Sequence, residues 1–153
     1  MGIVDTVHAD LVVRGRDGRA VLVVEVKGSA RFPEVYKRAL GLVVDAFRAP
    51  YAMLAMPDKV LLFRIGPGGG LSDTSKPIAT LETRRLVERY FPEASEKGPT
   101  GGILESVVDD WLRDLAKEPE GDIPGKDEIA AAGLLEQISG AETVREASAR
   151  LRW

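Results

Sequence analysis

The sequence predicts an α/β fold: a small mixed β-sheet of about four strands, a helix laid across it, and further helices toward the C-terminus. Three observations predict it. Two β-branched runs flank a turn signal at Asp17-Gly18. An apolar stripe of helical period covers residues 32–50, and two short apolar runs follow it directly. From residue 84 onward the pattern is helical.

Taken in order, residues 9–28 (ADLVVRGRDGRAVLVVEVKG) read as a β-hairpin turning at Asp17-Gly18. Residues 32–50 read as a helix: Pro33 suits its first turn and Pro50 lies just past its end. Its stripe is Tyr36, Leu40, Val43 and Phe47, widened by Ala39 and Val44. YAMLAM (51–56) and KVLLFRI (59–65) read as two strands joined at Pro57-Asp58. GPGGG (66–70) reads as a flexible break; it has neither the lysine–serine/threonine ending nor the helix start of a phosphate loop. Residues 67–82 read as loop with a short strand around 78–81.

Residues 83–91 suggest a short helix stopped by Pro92. Residues 101–118 form an amphipathic helix with Leu104, Val108, Trp111 and Leu115 on one face. Residues 118–126 read as a linker and 127–139 as helix. Ser139 and Glu142 match a capping box, so a last helix is expected to run to Arg152, carrying Val144, Ala147 and Leu151. Trp111 and Trp153 read as packing residues. The expected division is an α/β core over 1–66, loop and helices of the same domain over 67–118, and a linker with C-terminal helices over 119–153 that could serve as an oligomerisation or partner-docking tail.

Bulk properties narrow the function classes. At 153 residues the chain can bury one real core. With no cysteine, disulfides, thiolate metal sites and cysteine nucleophiles are excluded. The single histidine, His8, leaves no basis for a His-rich zinc site. The net charge of −3 argues against a wholly basic nucleic-acid binder and confines any such binding to a local patch. No signal-peptide pattern or membrane-length apolar run is present, so a cytoplasmic protein without a membrane partner is expected.

The hairpin register points to chemistry. With Asp17-Gly18 at the turn centre, Arg16 faces Arg19, Val12 faces Val23 and Asp10 faces Glu25, provided no bulge intervenes. One face then carries Leu11, Val13, Leu22, Val24 and Val26. The other carries His8, Asp10, Val12, Val21, Val23, Glu25 and Lys27. Directly opposed side chains have Cβ atoms roughly 5 Å apart, and like charges there destabilise a sheet. Folding alone would not choose Asp10 opposite Glu25. A divalent cation resolves the conflict: two carboxylates can hold Mg²⁺ or Mn²⁺ with water completing the shell. Lys27, one step along the same face, could then polarise a water or contact a phosphate, which is the chemistry of phosphodiester hydrolysis. The plainer reading is that Lys27 neutralises the two acids on a solvated strand end.

Asp10, with Glu25-Val26-Lys27 fifteen residues further on at the end of an apolar strand, resembles the PD-(D/E)XK nuclease superfamily. The resemblance spans residues 8–65 and implies a restriction-endonuclease-like core with a helix after the third motif residue. It implies Asp10 and Glu25 as metal ligands, Val26 offering its backbone carbonyl, and Lys27 as the catalytic lysine. It further implies Mg²⁺ or Mn²⁺ as cofactor and nucleic acid as substrate, DNA more than RNA. Two departures stand out. Ala9 precedes Asp10 where the family often has proline. Only nine residues precede Asp10, so the family's usual helix before the first strand is not expected in its place. The 101–118 helix is a candidate filler, and its Glu105 a candidate accessory acid, though an exposed helical acid is the plainer reading.

The remaining candidates are weaker. His8 would face Lys27 as an outer ligand or proton carrier. Arg31, Lys37 and Arg38 flank or lie on the helix after Lys27, and Arg14, Arg16 and Arg19 crowd the hairpin tip; both sets could contact phosphate, and both fit ordinary charged surface. The alternative to a nuclease is a catalytically inactive module of the same fold that binds nucleic acid or a protein partner, or pairs with a second copy through its C-terminal helices. A third reading is a small α/β interaction protein in which Glu25 and Lys27 form only a salt bridge.

Overall fold

Strong β-formers in the first third of the chain build the centre of the molecule. In a computed structural model, which describes residues 4–66, 70–71, 75–94 and 98–152, six strands form one sheet. The strands are β1 (Val4–Arg14), β2 (Ala20–Val26), β3 (Tyr51–Ala55), β4 (Lys59–Arg64), β5 (Ala79–Glu82) and β6 (Glu142–Arg152). Their spatial order is β5-β4-β3-β2-β1-β6. Only β2 and β3 are parallel, because the helix α1 (Pro33–Phe47) carries the chain across between them.

Among the described residues five α-helices flank the sheet. α1 covers one face alone: Leu40, Val43 and Val44 pack on Val12, Val23, Ala52, Leu54, Leu61 and Phe63. The other face is covered by α2 (Thr83–Tyr90), α3 (Gly101–Lys117), α4 (Lys126–Ala131) and α5 (Leu134–Ile138). There Leu104, Val108, Trp111 and Leu115 bury the predicted α3 stripe against Leu11, Val13, Leu22 and Val24. Trp111 is a packing residue that also donates its indole N–H to the Pro124 carbonyl at 2.7 Å. Trp153 and residues 67–69 of the GPGGG segment lie outside the described residues.

Three expectations need correction. The segment after Ser139 is a strand, not a helix: β6 pairs antiparallel with β1 from Val4↔Arg152 to Arg14↔Glu142. β2 is paired with only the last four residues of β1, Leu11–Arg14. The rest of an 11-residue strand would be left with open backbone groups, and a ladder along its whole length outweighs a local capping signal. Ser139 instead ends α5, and Gly140, with φ of 76°, turns the chain. The expected 127–139 helix is two short ones, divided at Gly133 with φ of 82°. The sheet has six strands rather than about four: the short strand expected around 78–81 joins it as β5, and β6 is the addition.

The hairpin keeps its predicted register where it matters. Val12 pairs with Val23 and Leu11 with Val24. A register shift lies between Val13 and Arg14, on the turn side, so Arg14 pairs with Ala20. Val21 is therefore turned onto the α3 face beside Leu22, away from its expected place with Val23. The tip closes with Gly18 at φ of 80°, its N–H donating to the Gly15 carbonyl, and Gly15 donating to Arg19.

Candidate active site

β1 and β2 part company at one end of the hairpin. Their pairing ends at Leu11↔Val24, and Asp10 and Glu25 are the next residues on each strand. A buried amide must find an acceptor. Beyond the last paired residues that acceptor is a side chain: Asp10 Oδ2 takes the Val26 N–H at 2.7 Å. This bond fixes the Asp10 carboxylate beside the end of β2.

Glu25 is 8% exposed. Its Oε2 lies 3.7 Å from Lys27 Nζ, and its Oε1 is buried with no hydrogen-bond partner among the described residues. Burial is the main cause that pushes its carboxyl up to about 7. The neighbouring Asp10 charge adds to the rise, Lys27 opposes it, and a hydrogen bond between the two carboxyl groups raises it further. The acids expected to oppose each other thus sit close enough for the charge of one to act on the other.

Lys27 leaves the strand with its backbone N–H bound to the Ala55 carbonyl of β3 at 2.8 Å. Its Nζ lies 5.5 Å from the centre of the Tyr36 ring. That distance is within the range where a cation is attracted to an aromatic face. In the sequence Tyr36 belongs to the apolar stripe of α1. Its position one turn into the helix that directly follows Lys27 was the available signal.

The other candidates are dispersed. His8 is exposed on β1 and pairs across to Ser148 of β6, not to Lys27. Glu105 sits on α3, close enough to Arg145 to act on its charge, and α3 covers the opposite sheet face from α1. α3 does cover the sheet as expected of a filler, and its first residue Gly101 packs against Gly28, just after Lys27. Lys37 donates to the Ser75 carbonyl at 3.2 Å, while Arg31 and Arg38 are exposed near the start of α1. The tip arginines lie at the far end of the hairpin: Arg14 is four residues from Asp10, roughly 13 Å along a strand. Arg14 donates to the Gly18 carbonyl, Arg19 pairs with Asp17 at 3.8 Å, and Arg16 lies against Gly140.

Chemically, the site offers two carboxyl groups, one ammonium and one unpartnered buried oxygen. The negative charge of the two acids exceeds what Lys27 can neutralise, which is a donor set suited to a hard cation. Among the described residues no group of three or more His, Asp and Glu side chains converges on one point. The described residues also contain no helix long and apolar enough to cross a membrane. No protein-family model, no curated protein and no solved structure matches the chain.

Proposed function

We propose that this protein is a metal-dependent nuclease that hydrolyses phosphodiester bonds in nucleic acid, DNA before RNA, at Asp10, Glu25 and Lys27. The observation that carries the reading is the orphaned Oε1 of buried Glu25, set beside Asp10 with a single lysine for neutralisation. A proton or a hard cation can fill that role: burial and the neighbouring Asp10 charge push the Glu25 carboxyl up to about 7.

Asp10 and Glu25 would hold Mg²⁺ or Mn²⁺, with the Val26 carbonyl as a further oxygen donor and water in the open positions. When bound, the ion supplies Lewis-acid charge for a phosphodiester. The chain's own residues set the geometry. Val26 N–H fixes the Asp10 carboxylate, and burial limits the mobility of Glu25. Lys27, held between Glu25 and the Tyr36 ring, presents an ammonium to a phosphate oxygen or to the attacking water. Exposed Arg31, just before α1, would contact the phosphate backbone.

The second reading is a catalytically inactive module of this kind that binds nucleic acid or a protein partner. It is favoured by the absence of a third acidic or histidine ligand among the described residues. The test is cleavage of labelled single- and double-stranded DNA and RNA with Mg²⁺ or Mn²⁺, wild type beside Lys27→Ala and Asp10→Ala. Metal-dependent cutting that drops at least about a hundredfold in both variants is expected, as for loss of a group acting directly on the reaction. Folded wild-type protein that cuts none of the four substrates would sink the nuclease and leave the binding module.

A further inference from the structure

Helix α1 is apolar on more than the side that meets the sheet. Phe32, at its N-cap, is 60% exposed, Val35 54% and Leu42 53%. With Ala39 and Ala46 they recur at steps of three, four, three and four residues. That is the spacing of a seam that packs against another helix. Leu40, Val43 and Val44 already supply the face that α1 needs for its own sheet. Among the described residues the second stripe is left largely uncovered.

We infer that this outer stripe of α1 is a self-association surface, on which α1 of a second copy of this chain packs antiparallel. The sequence of the stripe is self-complementary in that direction and not in the other. Antiparallel pairing about the middle of the helix sets Val35 against the partner's Ala46 and Ala39 against the partner's Leu42. Each layer then matches a large side chain with a small one, and the two-fold symmetry repeats it. On the flank of the seam, exposed Arg38 comes opposite the partner's Asp45, twice over. In a parallel pair these flanking positions do not meet one another, so the Arg38–Asp45 contact forms only in the antiparallel arrangement. Charge therefore selects both the occupant and its orientation. The strand of the C-terminal segment, β6, is taken up by the sheet.

The experiment is sedimentation velocity over a dilution series on the full chain, with far-ultraviolet circular dichroism to show that each variant is folded. Wild type is expected to pass from dimer to monomer on dilution. Leu42→Glu and, independently, Val35→Glu are expected to weaken the dimer at least about tenfold, since each puts a charge into the seam. Arg38→Asp and Asp45→Arg each put like charges opposite one another and are expected to weaken it, while the double exchange Arg38→Asp/Asp45→Arg restores it. A wild type that stays monomeric at its highest soluble concentration overturns the inference. So does a dimer indifferent to both seam variants, or a double exchange no tighter than either single one.

Discussion

Glu25 shows how one residue records the conflict in this site. The chain places it on a β-branched strand that must be buried, beside a second acid, with one lysine at 3.7 Å. Its carboxyl is raised from 4.5 to about 7, so the folded state binds this proton more tightly than the unfolded chain. The stabilisation from that proton is fully present below about 4.5 and is lost as pH rises through about 7. Glu25→Gln removes the dependence. In metal-free buffer, its stability by urea unfolding should gain on wild type between pH 5 and pH 8, by on the order of 2 kcal/mol. Asp10→Asn should lower the Glu25 titration midpoint by removing a like charge, while its amide oxygen still accepts from Val26 N–H. Lys27→Ala should raise the midpoint, as read from the Glu25 carboxyl carbon by NMR. Identical pH profiles for wild type and Glu25→Gln would show that Glu25 carries no such burden.

At the scale of elements, the clearest device is the fastening of β6 to α3. Asp109, 4% exposed on α3, accepts from Arg113 Nε at 2.9 Å and from Arg145 Nε of β6 at 2.6 Å. Arg113 also donates to the Thr143 carbonyl at 3.1 Å. A buried carboxylate is tolerable only while paired. Asp109→Ala leaves two half-exposed arginines that water can reach, and should cost about 1–3 kcal/mol. The double variant Arg113→Ala/Arg145→Ala leaves the carboxylate buried and alone. It should cost more than Asp109→Ala, about 3 kcal/mol or above. Chemical denaturation gives the ranking, and amide hydrogen exchange should show faster opening of β6 in the double variant. The reverse ranking would mean that the cluster acts through the arginine stems alone.

This clamp also marks where the sequence stops being legible. The hairpin and α1 could be read because their signals are local: alternating β-branched residues around Asp17-Gly18, and a 3.6-period stripe between two prolines. The Asp10–Glu25 encounter followed from the same register, since the bulge falls beyond Val13 and leaves that end untouched. β6 could not be read that way. Val144, Ala147 and Leu151 fit a helix as well as a strand, and what decides is the unpaired length of β1, about 140 residues away in the chain. Tyr36 was missed as a neighbour of Lys27 for a related reason. A ring on the sheet-facing side of a helix looks like core until the strand end beneath it is known to carry a charge.

Considered as a whole, the molecule is a sheet held between unequal layers, and its candidate site sits where two central strands diverge. β1 is the axis of that arrangement. It carries Asp10, contributes Leu11 and Val13 to one core and Val12 to the other, and meets β2 on one edge and β6 on the other. The C-terminal strand is therefore expected to be essential to the fold, not an appended tail. Ending the chain after Gly140 would strip the partner from Val4–Arg14, uncover the outer edge of a long β-branched strand, and take Arg145 from the buried Asp109. Each loss is of a few kcal/mol at most, but together they approach the whole stability of a domain this size. The truncated protein should lose its cooperative thermal transition or aggregate, because β1 loses the partner along its whole length. A truncated chain that melts cooperatively within a few degrees of wild type would show that β1 holds its place through β2 and the two cores alone. The site would then owe nothing to the C-terminal strand.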